Sequence, residues 1–167
     1  MKKTVLVSLF LFGVLFVCFA SAQAGPVMDR ITANSKIVVG TTGAQPPLTA
    51  TSKTGETIGL DADIAKLIAG NMGVTIEFKT MPFAELLPAL TAGKVDLVIS
   101  SMTVTPKRNM QVAFIGPYFI SGKGILTKTT HLEALQGPAG LNQAQFKVTA
   151  LKDSTSQRFV EREAPKA

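Results

Sequence analysis

Short β-branched runs alternate with helix-patterned stretches through the middle of this chain, and that alternation limits its fold more than any other feature. Residues 36–41 (KIVVGT), 74–78 (VTIEF) and 95–99 (VDLVI) read as buried strands. Between the first two, residues 60–72 place Leu60, Ile64, Leu67, Ile68 and Met72 at 3.6-residue spacing, the pattern of an amphipathic helix. Asp61 and Asp63 fall in its first turn, where the helix dipole favours acids, and Asn71 and Gly73 end it. A second helix is predicted over Phe83 to Ala92, with Leu86, Leu87 and Leu90 inward. Pro88 moves its proper start to about Glu85, and Gly93 stops it. Strand, helix and strand in this order predict an α/β fold, a mostly parallel sheet with helices on both faces. Ligands of such sheets bind beyond the carboxyl ends of the strands. The segments to inspect are therefore 41–45, 80–83, 100–103 and 153–155.

Weaker signals flank this core. Gln45-Pro46-Pro47 breaks the first strand into an extended loop. Residues 48–52 and 56–59, around Lys53-Thr54-Gly55, predict a small hairpin. Thr105 followed by Pro106 reads as an N-cap and first helical position. Residues 125–127 and 146–151 are predicted strands. Residues 128–145 read as irregular, with a helical turn at Leu132 to Leu135, and Asp153-Ser154-Thr155 leads into a helix ending near Glu163.

The first two dozen residues are of a different kind. Lys2 and Lys3 precede an apolar run from Val5 to Ala20, and the small residues of Ala20-Ser21-Ala22-Gln23-Ala24 follow. That is the three-part layout of a secretory signal peptide, cleaved near Ala24. The run is short of the ~20 residues that span a bilayer, and Phe16-Val17 lacks the small residue expected before a lipidated Cys18. A periplasmic location is expected. Cleavage removes the single Cys, so no disulfide is expected, and it lowers the net charge from +6 to +4 through loss of Lys2 and Lys3. The remaining basic residues are scattered, without the basic stripe interleaved with aromatics that marks a nucleic-acid binder.

At the predicted strand ends the chemistry is hydroxyls, one aromatic and one arginine. Ser100, Ser101, Thr103 and Thr105 precede Arg108. Hydroxyls and helix-start amides with a guanidinium one turn on suit a carboxylate or phosphate, although the same residues read equally as an N-cap beside a solvated Arg. Ser154-Thr155-Ser156 repeats the pattern, and alone it is an ordinary N-cap. Phe83 reads either as core or as a flat wall beside a ligand. No catalytic constellation, phosphate loop or metal cluster is present in the sequence, and no cofactor is expected. His131 has only Glu133 near it and reads as a surface residue.

Three motifs in order carry a resemblance: residues 58–68 (IGLDADIAKLI), 83–90 (FAELLPAL) and 93–108 (GKVDLVISSMTVTPKR), running on through 112–114 and Pro117-Tyr118. Over about residues 34–163 the chain resembles the periplasmic polar amino-acid-binding proteins, the family 3 extracellular solute-binding proteins that serve ATP-driven importers. The resemblance implies two α/β lobes closing on one small ligand, a membrane permease as partner, and a monomer. Residues 25–127 would be the first lobe, 128–145 an irregular crossover, and 146–167 the start of a second lobe that is only begun, as in a truncated chain. It further implies that Arg108 grips the ligand α-carboxylate, that Ser101 and Thr103 hold carboxylate and amino group, that Phe83 walls the ligand side chain, and that Thr155 completes the site from the second lobe. Thr42 and Gln45, in the loop after the first strand, are the remaining candidate contacts. That loop carries neither an aromatic nor the acid that would favour a basic ligand side chain. A dehydratase of amino-acid precursors, or a sensor module, on the same fold is the alternative. The former needs a general acid or base, which Phe83, Ser101, Thr103 and Arg108 do not supply.

Overall fold

The structure is a computed structural model describing residues 25–131, 135 and 140–167. The predicted signal peptide, with Cys18 and the cleavage site at Ala24, lies outside the described residues, as do Glu133 and most of the predicted turn at Leu132 to Leu135. The chain divides into two units, one ending at Asn34 and one spanning Ser35–Ala167. In the first, α1 (Pro26–Asn34) starts on a proline and carries Asp29 in its first turn. The Asp29 N–H donates to the Gly25 carbonyl at 3.1 Å.

The second unit runs β1 (Lys36–Thr41), β2 (Ala44–Gln45), β3 (Thr49–Thr51), β4 (Thr57–Ile58), α2 (Leu60–Met72) and β5 (Thr75–Thr80). A 3-10 turn, Phe83–Glu85, then runs into α3 (Leu86–Thr91), followed by β6 (Leu97–Val98), α4 (Pro106–Asn109), a second 3-10 turn at Thr129–His131, and α5 (Thr155–Glu163). β1 is the central strand of a parallel sheet of order β5-β1-β6. Its register runs from Lys36 opposite Thr75 to Thr41 opposite Thr80 on one side, and pairs Val39 with Leu97 and Gly40 with Val98 on the other. The crossover through α2 moves one way along the sheet and that through α3 moves back past β1. Right-handed crossovers in opposite directions place α2 and α3 on opposite faces. β2, β3 and β4 form a separate antiparallel sheet, the predicted hairpin with one strand more.

The core holds Ile37, Val39, Leu86, Val95 and Ile99, with Ala62, Ala65 and Ala69 from α2. The predicted inward face of α2 is thus displaced. Its buried side is Asp61, Ala62, Ala65 and Ala69, while Leu60 and Leu67 are exposed. A row of alanines lets the helix backbone approach its neighbours closely, and the larger Ile64, Ile68 and Met72 flank the contact half-buried. The entry to α2 is equally tight. Gly59 has φ +108°, and a Cβ there would meet the carbonyl oxygens of Leu48 at 2.6 Å and Pro47 at 2.7 Å. That close approach lets the Leu48 carbonyl accept the otherwise orphaned Asp61 N–H at 2.9 Å. At the other end Gly73, left-handed at φ +67°, donates to the carbonyls of Ala69 and Gly70, the stop that the sequence predicts.

α3 begins at Leu86, so Pro88 lies in its first turn as expected, and Leu86 is fully buried while Leu87 and Leu90 are half-buried. The predicted strands at 125–127 and 146–151 do not form: both segments are irregular. A β-branched run becomes a strand only where another strand satisfies its N–H and C=O groups, and no described strand pairs with either. Ile125 and Leu126 are accordingly exposed. Among the described residues no helix is long and apolar enough to cross a membrane.

Candidate functional site

α4 is one turn long, and its task is to return Arg108 to the segment that precedes it. Thr105 is the N-cap, its hydroxyl accepting the Arg108 N–H at 3.3 Å, with Pro106 at the first helical position. The turn folds the Arg108 side chain back so that Nη1 donates to the Thr103 carbonyl at 2.8 Å, while Nη2 donates to the Asp153 carbonyl at 3.0 Å. The guanidinium carbon lies 5.3 Å from the centroid of the Phe83 ring, within cation–π range. Arg108 is only 7% exposed, so of the two readings left open by the sequence a solvated arginine is excluded. Burial, and then the positive charge of Arg158, hold its pKa below the ordinary arginine value. Among the described residues no carboxylate pairs with it, and its recorded partners are neutral carbonyls.

Phe83 is 7% exposed and lies at the start of the 3-10 turn, beneath that guanidinium. Phe83 is therefore packed, and the group on its ring face is Arg108. Ser154 caps α5, accepting the N–H groups of Ser156 and Gln157 at 3.1 Å each, the N-cap that the sequence predicts. This sets Thr155 against the site, its hydroxyl 3.2 Å from that of Thr103. Arg108, Phe83, Thr103 and Thr155 thus form one cluster.

Thr42 and Gln45 form a second cluster with Ser100. The Thr42 N–H donates to the Ser100 hydroxyl at 3.1 Å, and the Thr42 hydroxyl donates to Gln45 Oε1 at 3.0 Å. The Ser100 hydroxyl lies 3.3 Å from both Thr42 Oγ1 and Gln45 Oε1. Ser100 lies two residues beyond β6 and Thr42 directly follows β1, so the two strand ends are tied together by hydroxyls.

Ser101 joins neither cluster through its side chain. Its hydroxyl donates to the Asp61 carboxylate, 3.0 Å from Oδ2 and 3.2 Å from Oδ1. The Tyr118 hydroxyl donates to Asp61 Oδ1 at 2.8 Å and accepts the Ser101 N–H at 2.9 Å. Asp61, taken from the sequence as a helix-start acid, is 1% exposed and is the hub of this network. Burial raises its pKa, opposed by the hydrogen bonds from Tyr118 and Ser101. The Tyr118 phenol is pushed up to about 12, chiefly by burial and then by the hydrogen bond and charge of Asp61. The signal for Asp61 was its spacing: with Ala65 and Ala69 it falls at i, i+4, i+8 on the small-residue face, the one that packs. His131 is exposed, its ring edge-on to Phe146 with centroids 5.6 Å apart, consistent with a surface residue.

The chain was compared with known proteins. A family model described as bacterial extracellular solute-binding proteins, family 3, matches residues 37–161. A probable amino-acid ABC transporter-binding protein of Haemophilus influenzae is 30% identical over 131 residues, 78% of this chain and 50% of that protein. An arginine-binding periplasmic protein of Mannheimia haemolytica is 35% identical over 128 residues, 77% of this chain and 47% of that protein. The chain thus spans about half the length of these curated relatives. Among solved structures, an ancestral amino-acid-binding protein described as a precursor of cyclohexadienyl dehydratase superposes with a TM-score of 0.81 at 34% identity, over 84% of this chain and 62% of that one.

Proposed function

Because this chain belongs to family 3 of the bacterial extracellular solute-binding proteins, we propose that it captures a polar amino acid outside the cytoplasm and delivers it to the permease of an ABC importer. The observation that carries this reading is Arg108: a buried guanidinium with no described carboxylate partner, steadied on Phe83 and flanked by the hydroxyls of Thr103 and Thr155. A buried cation without a counter-ion is costly, and a ligand α-carboxylate is the anion that fits a planar, forked donor. Thr103 and Thr155 then supply hydroxyls to the same carboxylate. Thr42 and Gln45 line the ligand from the β1 end, and Ser101 contributes to the amino-group side.

In this reading residues 1–24 are a signal peptide cleaved near Ala24, and the protein works as a periplasmic monomer. The first lobe is residues 25–127, residues 128–145 cross over, and 146–167 open the second lobe. The protein is not an enzyme: the clustered groups are hydroxyls, an amide, a ring and an arginine, and Asp61 is engaged by two donors rather than placed as a base. The dehydratase link of one structural neighbour makes turnover the alternative to test.

The test is thermal melting of a chain that carries residues 25–167 together with a complete second lobe, against the standard L-amino acids, with L-arginine first because a relative is named for it. A ligand at 100 times its Kd adds about 2.7 kcal/mol of stability. A saturable rise with one L-amino acid over its D-form, and unchanged ligand recovered afterwards, is expected. No shift with any amino acid would overturn the binding reading, and a consumed cyclic precursor would favour the enzyme.

A further inference from the structure

Ser101 holds an unusual backbone conformation. Its φ is +48°, the left-handed region that an L residue other than glycine, asparagine or aspartate seldom occupies. It persists only if its surroundings over-determine it, and here they grip it twice. Its N–H is held by the Tyr118 hydroxyl at 2.9 Å and its side chain by the Asp61 carboxylate at 3.0 Å, while the Tyr118 hydroxyl is itself fixed on Asp61 at 2.8 Å. Asp61 comes from the first turn of α2, Ser101 from just beyond β6, and Tyr118 from ten residues after Arg108. One buried carboxylate therefore ties three separate parts of the chain to a single residue, two positions before Thr103.

We propose that Asp61 is a positioning residue for the ligand-binding segment: through Tyr118 and its own carboxylate it clamps Ser101 in the left-handed conformation, which fixes the path of the chain into Thr103 and Arg108 and leaves Ser101 to serve the ligand with its main-chain carbonyl. The inference rests on the amino-acid-binding reading above. It also explains why the Ser101 hydroxyl is absent from both side-chain clusters: Asp61 takes it up. Glycine adopts positive φ at no steric cost, so the clamp is needed only while residue 101 carries a side chain. That gives the proposal a signature which a general loss of folding does not share.

The experiment measures amino-acid affinity by calorimetry in the wild-type protein, in Asp61→Ala and Tyr118→Phe, and in each of these combined with Ser101→Gly. Each single variant is expected to weaken binding about tenfold, the fold-change equivalent of releasing one residue from left-handed strain. Ser101→Gly is expected to recover most of that loss in either background, a non-additive coupling. In parallel, tyrosinate absorbance is titrated without ligand. Tyr118 is the sole tyrosine and there is no tryptophan, so the signal belongs to one phenol, expected near 12 in the wild type and lower in Asp61→Ala. Should Asp61→Ala not fold, Tyr118→Phe and its glycine pair carry the test. Unchanged affinity in the variants, failure of glycine to recover it, or a wild-type phenol titrating at the ordinary tyrosine value would each overturn the clamp and leave the binding reading standing. A wild-type protein that takes no amino acid overturns both, an outcome distinct from the other three.

Discussion

Replacing Arg108 by lysine keeps the charge and removes the fork, so it separates geometry from electrostatics. In the structure two N–H groups of the guanidinium are engaged by main-chain carbonyls, at 2.8 Å to Thr103 and 3.0 Å to Asp153. Three of its five donors remain for an anion. A carboxylate received on that edge takes two charge-assisted hydrogen bonds, at ~1.5–3 kcal/mol each. Lysine has three donors on one nitrogen and cannot hold two carbonyls and both carboxylate oxygens together. The ammonium keeps its charge and at least one bond to the carboxylate, so the expected loss is one charge-assisted bond, ~1.5–3 kcal/mol of binding, or ~10–10² in Kd. The ligand-free fold should suffer less. One carbonyl bond remains within reach of the ammonium, the stacking on Phe83 weakens by ~0.5–1 kcal/mol, and the burial of one cation is common to both proteins. A stability decrease of ~1–2 kcal/mol is expected. Calorimetric titration with the preferred amino acid and thermal melting without it measure the two quantities. A Kd within threefold of wild type refutes the carboxylate grip, and a binding loss matched by an equal collapse of the ligand-free fold refutes the separation of roles.

Other outcomes follow from particular contacts. Leu86→Ala, at a fully buried position of α3, should lower stability by ~2–5 kcal/mol in urea unfolding. Thr105→Ala removes the cap of α4, whose bond to the Arg108 N–H is long at 3.3 Å, so a loss of about 0.5–1 kcal/mol is expected, with affinity falling alongside because the cap sets where Arg108 emerges. Alkaline stability should track Tyr118: an unfolded tyrosine releases its proton near the ordinary value of 10.0, while the folded phenol holds it to about 12. Between these values the native state keeps a proton that the unfolded state has lost, so stability falls as pH rises through that window. Urea midpoints measured across it should fall more steeply in wild type than in Tyr118→Phe, and equal slopes would refute the Asp61 contact.

The parts of the fold legible in the sequence are those that local chemistry decides. The end of α2 follows from Gly73, the start of α4 from Thr105-Pro106, and the start of α5 from Ser154. Strand β1 is readable because its run is apolar and buried along nearly its whole length. What the sequence misreads depends on partners far along the chain. Side-chain size predicts the face of α2 that carries Leu60 and Leu67, whereas close packing selects Ala62, Ala65 and Ala69. Residues 125–127 and 146–151 have strand composition but no described strand beside them. For the site, Arg108 beside Thr103 is local and could be read, while the Asp153 carbonyl on Arg108 and the Asp61–Tyr118 bond span 45 and 57 residues. The spacing of Asp61 with Ala65 and Ala69 marks it as lying on the packed face, but no spacing rule reaches far enough to name Tyr118 as its partner.

The bond between the hydroxyls of Thr103 and Thr155 closes a loop of 52 residues. The length-dependent part of that closure costs about 3.5 kcal/mol in chain entropy. Against it stand a neutral hydroxyl pair at ~0.5–1.5 kcal/mol and the charged bond from Arg108 to the Asp153 carbonyl at ~1.5–3 kcal/mol. These quantities are of similar size, so the two bonds at the arginine offset the closure, and the Lys123 ammonium, 5.7 Å from the centroid of the Phe159 ring, adds a further hold on α5. A molecule that touches both ends of such a closure shifts it only by its differential affinity for the closed arrangement, tenfold for each ~1.4 kcal/mol.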